Sequence, residues 1–234
     1  MRFPVAAPAL ATLLVLSASI IAGPAHANLL TNGGFESPVA GPSYGSLVSG
    51  PGFSYLSNGG TTTSNGWTWS GNAGVINGTT ATPWFAAFPP SGYLDSQYGF
   101  VQVVGSSVSQ SFTLATQSLV NITWLATGRP AFGAVNGLAT YTVTAGSLSL
   151  NASTTSGMPF AAYGLSGLLD AGTYALTFLH TGPDATDRSF FLDDVTVTAS
   201  AYVPEPASAA IIIMGVAGMI GLRRLTPVGS RRNA

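Results

Sequence analysis

The chain is 234 residues long, contains no cysteine and is only 6% charged. Between positions 28 and 203 seven acids face two arginines, Arg129 and Arg188, a local net charge of −5 that the basic ends bring back to −1 overall. Two dispersed cations cannot neutralise a phosphate backbone, which excludes nucleic acid as a partner. The missing thiols exclude a disulfide framework and thiolate chemistry.

Arg2, an apolar run from Val5 to Ile21 and the small-x-small triplet Ala25-His26-Ala27 make residues 1–27 a secretory signal peptide, removed before Asn28. Residues 28–200 then form one domain, long enough for a single packed core.

Asn28-Leu29-Leu30-Thr31 predicts a short apolar strand, Asn32-Gly33-Gly34 a turn, and Phe35 and Glu36 follow before Pro38 ends the ladder. From Val39 to Gly66 neither period is present, which predicts a long loop of the kind that often carries function. Trp67-Thr68-Trp69 opens the next strand, and Trp84 to Phe88 is a further apolar patch. Alternation is clearest over 98–104 and 108–114, and Gly105-Ser106-Ser107 between them predicts a hairpin. Val120, Ile122 and Trp124, then Tyr141 and Val143, then Tyr174, Leu176 and Phe178 mark three more strands; Phe190 to Thr198 marks the last. Only 160–169 departs from this, predicting a short helical turn. The recurrence of strands and Gly/Ser/Asn turns predicts an all-β domain, an antiparallel β-sandwich.

Beyond a Pro-rich linker at 201–206, residues 207–222 carry no charge and would span about 24 Å as a transmembrane helix. That is short of the roughly 30 Å bilayer core. Four arginines follow in the basic tail 223–234, which places that end in the cytoplasm and the domain outside. Val203-Pro204-Glu205-Pro206, the apolar helix and Arg223-Arg224 together resemble the PEP-CTERM sorting signal of exported Gram-negative bacterial proteins. The resemblance implies an exosortase as processing partner, a transient stay in the inner membrane, and delivery to the cell surface or an exopolysaccharide matrix. An ordinary single-pass anchor is the plainer alternative.

The domain carries a second resemblance. Asn32-Gly33-Gly34-Phe35-Glu36, Gly66-Trp67, the Val101-Gln102-Val103-Val104 and Val108-Ser109-Gln110-Ser111-Phe112 stretches, and the closing Phe191-Leu192-Asp193-Asp194-Val195 look like the galactose-binding-domain-like jelly roll, including the DUF642 type and carbohydrate-binding modules. It implies a structural Ca²⁺ held by Glu36 and Asp193, with Asp194 as a further ligand. Strand parity puts Asp193 with Phe191, Val195 and Val197 on the inward face, where a carboxylate needs a partner. Hard oxygen ligands suit calcium; Arg188, Arg129 or backbone N–H groups of the Asn-Gly-Gly turn are alternative partners.

A sugar platform needs flat rings with polar groups beside them. Trp67, Trp69, Trp84, Tyr93 and Tyr98, with Asp95 and Gln97, are the available set, against the plainer expectation that sandwich aromatics are core. Catalysis finds little footing. His180 is the one mature histidine, there is no Gly-x-Ser-x-Gly elbow, and Asp184 and Asp187 sit in a turn-like loop. The expectation is a non-enzymatic exported matrix or envelope protein, with carbohydrate binding as the alternative and a polysaccharide hydrolase as a third reading.

Overall fold

A computed structural model describes residues 27–39, 49–50, 52–78, 92, 95–129, 138–154, 159–182 and 188–202. The signal segment before residue 27, the Val203-to-Pro206 motif with the apolar and basic segments after it, and Trp84, Tyr93, Asp184 and Asp187 lie outside the described residues.

The described residues are all β. The strands are β1 (Ser49–Gly50), β2 (Phe53–Ser64), β3 (Trp67–Asn77), β4 (Gln97–Leu114), β5 (Ser118–Gly128), β6 (Ala139–Ala145), β7 (Leu148–Thr154), β8 (Ala161–Leu169), β9 (Gly172–Gly182) and β10 (Ser189–Ala201). Every pairing is antiparallel. One layer runs β2-β3-β4-β9-β6-β7; the other runs β4-β10-β5-β8. Strand β4 belongs to both, pairing β10 over 99–102 and β9 over 107–114.

That double membership corrects the hairpin expected at 105–107. The chain bends there without reversing: Val103 (φ 60°) and Gly105 (φ 85°) take left-handed backbone. Both halves of β4 pair with β3, and the register shifts between Ser70 and Asn72. Gly, Ser and Ser signalled a bulge that redirects the strand from one layer to the other.

Three further expectations change. The loop over 39–66 contains β2, joined to β3 through Asn65-Gly66, both at positive φ (49° and 87°), the signature of a tight hairpin turn. Two register shifts in β2 erased its period-2 pattern from the sequence. The stretch 161–169 is β8, with Tyr163 and Leu165 half-buried and Ala162, Gly164, Ser166 and Leu168 exposed. Its exposed positions are small or apolar, so no polar alternation was visible. Residues 28–31 form no strand but follow β10 by side-chain and backbone bonds.

The core lies between the layers. From one come Trp69, Val108, Phe178 and Val143, and from the other Val197, Ile122 and Trp124. The Trp124 indole N–H donates to the Tyr141 hydroxyl across this interior at 3.1 Å. Tyr141 also stacks on Phe190, with ring centroids 4.4 Å apart. A second cluster of Ile76, Tyr98, Phe100, Phe160 and Phe191 forms a smaller core.

Strand parity in β10 breaks just after Asp193. Leu192 pairs with Ala126 and Asp193 with Leu125, but the next register pair is Thr196 with Thr123, so one extra residue sits in β10. Asp194 (φ 47°) takes the bulge. Asp193 is buried and shares its face with Phe191, while Val195 and Val197 return to the main core.

Candidate functional site

The N-terminal segment forms one wall of a cleft because its polar groups are tied to β10. Leu29 N–H donates to Val197 O at 2.8 Å. Asn28 spans two residues, donating from Nδ2 to Val195 O (3.2 Å) and accepting from Val197 N–H at Oδ1 (2.9 Å). Val195 N–H in turn donates to Gly33 O at 3.0 Å. A Cβ on Gly33 would lie 2.1 Å from Val195 O, so the approach requires glycine.

Opposite this wall stand the β2–β3 turn and the second half of β4. Leu29 and Thr31, Gly66 and Thr68, and Ser109, Gln110 and Ser111 line an open cleft of about 340 Å³. That is at the small end of ligand sites, about 300–1,000 Å³. No lining side chain titrates. Gln110 points inward between Val108 and Phe112, is 7% exposed, and uses both ends of its amide on Thr31. Thr31 N–H donates to Oε1 at 2.7 Å, and Nε2 donates to Thr31 O at 3.0 Å. The hydroxyls of Thr31 (donating to Gln110 Oε1 at 3.4 Å), Thr68 (3.1 Å from the Thr63 hydroxyl), Ser109 and Ser111, with the exposed Leu29 side chain, form the cleft's chemical face.

Around Gly34 lies a second feature. Asp193 Oδ1 and Glu36 Cγ stand 3.8 Å and 4.0 Å from where a Cβ on Gly34 would be. Glu36 accepts from Ser96 N–H (3.1 Å), Ser96 Oγ (2.8 Å) and Gln97 N–H (2.7 Å). Asp193 Oδ1 accepts from Asp194 N–H at 2.8 Å. Glu36 and Asp193 thus both lie beside Gly34, while Asp194 is exposed on the bulge. Among the described residues no three His, Asp or Glu side chains converge.

The aromatic platform needs correction. Trp67, Trp69 and Tyr98 are buried and present no face to a ligand. Trp67 packs 5.0 Å from Phe35 by ring centroids and donates its indole N–H to Asn32 O at 3.0 Å. Trp69 also meets Phe35, and Tyr98 packs between Phe160 and Phe191. These rings supply volume the sandwich needs, and the alternation that located the strands also put them inside. Asp95 is exposed with φ 57°, and Gln97 is buried, donating to Phe35 O and Pro38 O. His180 is buried and stacks on Phe190 at 5.7 Å. The cleft residues were missed because hydroxyls on a strand read as ordinary outward positions; Asn65-Gly66 was the available signal.

No family model matches the chain, and no curated protein matches it. Among solved structures it is similar to the CBM22-1 xylan-binding domain of Paenibacillus barcinonensis Xyn10C, at 14% identity over 64% of this chain and 93% of that one, with a TM-score of 0.40. It is also similar to TmCBM61 in complex with β-1,4-galactotriose, at 15% identity over 74% and 99% of the two chains and a TM-score of 0.39. CBM35 from Paenibacillus barcinonensis is 16% identical over 58% and 94%, with a TM-score of 0.37.

Proposed function

We propose that this is an exported, non-catalytic protein whose sandwich binds carbohydrate in the cleft between residues 29–31, Gly66 and β4. The carrying observation is the cleft's chemistry: uncharged hydroxyls around one exposed apolar side chain, with no titratable group in the lining. Sugars offer hydroxyl edges and C–H patches, which such a lining can satisfy and cover. Without a general acid or base beside the ligand, binding proceeds without turnover. The signal segment and the Val203-to-Pro206 tail support export and sorting to a surface or matrix, with the exosortase as processing partner. Retention of the full chain, in mild detergent, on native gels containing a neutral polysaccharide tests the reading. Retention should weaken in Thr31→Val and Ser109→Ala, and equal mobility with and without polysaccharide would count against it.

Calcium at the Glu36–Asp193 corner belongs to the same proposal, in a structural role. Two hard carboxylates support it, and backbone carbonyls and water would complete the six to eight oxygens, roughly, that calcium takes.

A further inference from the structure

The cleft opens at one point onto the outer face of the six-stranded layer, where the register lines up hydroxyl side chains from strand to strand. Thr63 of β2 pairs with Thr68 of β3, Thr68 with Ser109 of β4, Ser109 with Thr177 of β9, Thr177 with Thr144 of β6, and Thr144 with Ser149 of β7. Directly paired residues share a face. One unbroken row of hydroxyls therefore crosses all six strands, and each member is exposed or half-buried. A second row lies two residues along: Thr61, Ser70, Ser107, Leu179, Thr142 and Asn151. Neither row contains a charge.

From these rows we infer that the binding site is a linear track that takes an extended, uncharged polysaccharide chain lying across the strands. The inference rests on the carbohydrate reading of the cleft, whose lining residues Thr68 and Ser109 are the second and third members of the first row. At about 4.8 Å between strands, the row is roughly 24 Å long, a path for several linked sugars and too long for one. The rows stand about 7 Å apart, so a chain between them meets hydroxyls on both sides. Leu179, 38% exposed, lies inside this field between Ser107 and Thr142 and offers a sugar ring an apolar contact.

Two observations choose the occupant. Adjacent strands rotate by about 20–25°, so the row turns by roughly 100° from β2 to β7. A flat crystalline surface cannot stay in contact along it, whereas a single solvated chain can. The domain's net charge of −5 with an uncharged track disfavours a polyanion.

The experiment is a titration of the full chain, in mild detergent, with mannotriose, galactomannan and the polyanion alginate. It uses the wild type and a Thr142→Val/Thr144→Val double variant that removes two hydroxyls on β6, two strands away from the cleft-lining β4, while keeping strand-compatible shapes. An unchanged melting curve verifies the variant's fold. The expected result is tighter binding of the polymer than of the trisaccharide, an affinity for the polymer lowered about tenfold by the double variant, and no alginate binding. Equal affinity for trisaccharide and polymer, with no effect of the variant, overturns the track and leaves the cleft as a short site. Absence of binding to either neutral sugar overturns the cleft reading and the track together. Alginate binding as tight as galactomannan binding overturns the uncharged-chain assignment.

Discussion

Gln110 and Thr31 are joined by two opposed hydrogen bonds, amide against peptide, with Thr31 N–H donating at 2.7 Å and Gln110 Nε2 donating back at 3.0 Å. A strand side chain thus acts as a short piece of sheet for a segment that has no strand of its own. Gln110→Leu removes both bonds to the exposed Thr31, at a cost of about 1–3 kcal/mol for the two. The expected outcome is a melting temperature lowered by several degrees and faster amide exchange over residues 29–32. Unchanged exchange there would show that the bonds to β10 suffice.

Gly66 governs how open the cleft is. A Cβ there would lie 2.2 Å from Thr31 Oγ1 and 3.0 Å from Gln110 Nε2, on a backbone already at φ 87°. Gly66→Ala is expected to destabilise the chain by about 1 kcal/mol or more and to weaken saccharide binding together with stability. A variant of wild-type stability and affinity would mean that the turn relaxes away from Thr31.

Alkaline pH reports on the inter-layer bond of Trp124 and Tyr141. Burial pushes the Tyr141 hydroxyl well above its ordinary value of 10.0, outweighing the lowering by the Trp124 hydrogen bond, and burial raises Tyr163 too. With folded pKa values above unfolded ones, this stability is fully present below pH 10 and falls as the pH rises beyond it. Urea melts at a series of pH values should show that fall. Tyr141→Phe should make it shallower while lowering stability near neutrality by about 1–3 kcal/mol, because the buried indole N–H loses its acceptor. A fall of equal steepness in both proteins would assign it to other groups.

For the Glu36–Asp193 corner, the expected outcome is a melting temperature that drops with EDTA, recovers with added calcium, and ceases to respond in Asp193→Asn. Melting curves that ignore the chelator would contradict a structural metal at these two carboxylates.

Strand composition made the all-β architecture legible, because Val120, Ile122 and Trp124, or Tyr141 and Val143, alternate cleanly with polar residues. Bulges hid the rest. The extra residue at Asp194 changed the phase of β10, the two shifts in β2 removed its period, and the kink at 103–105 imitated a turn. The burial of Asp193 was legible from strand parity, whereas its association with Glu36 was expected only through resemblance. The cleft and the hydroxyl rows were not, since Thr63, Ser109, Thr177 and Thr144 become neighbours only through pairing between strands far apart in the chain.

The most direct measurement of the central claim is a calorimetric titration of the full chain with a neutral oligosaccharide, repeated on Ser109→Ala. Saturable binding at one site per chain is expected, weakened about three- to tenfold by loss of the Ser109 hydroxyl. Heats no larger than dilution, or an isotherm indifferent to Ser109, would contradict it.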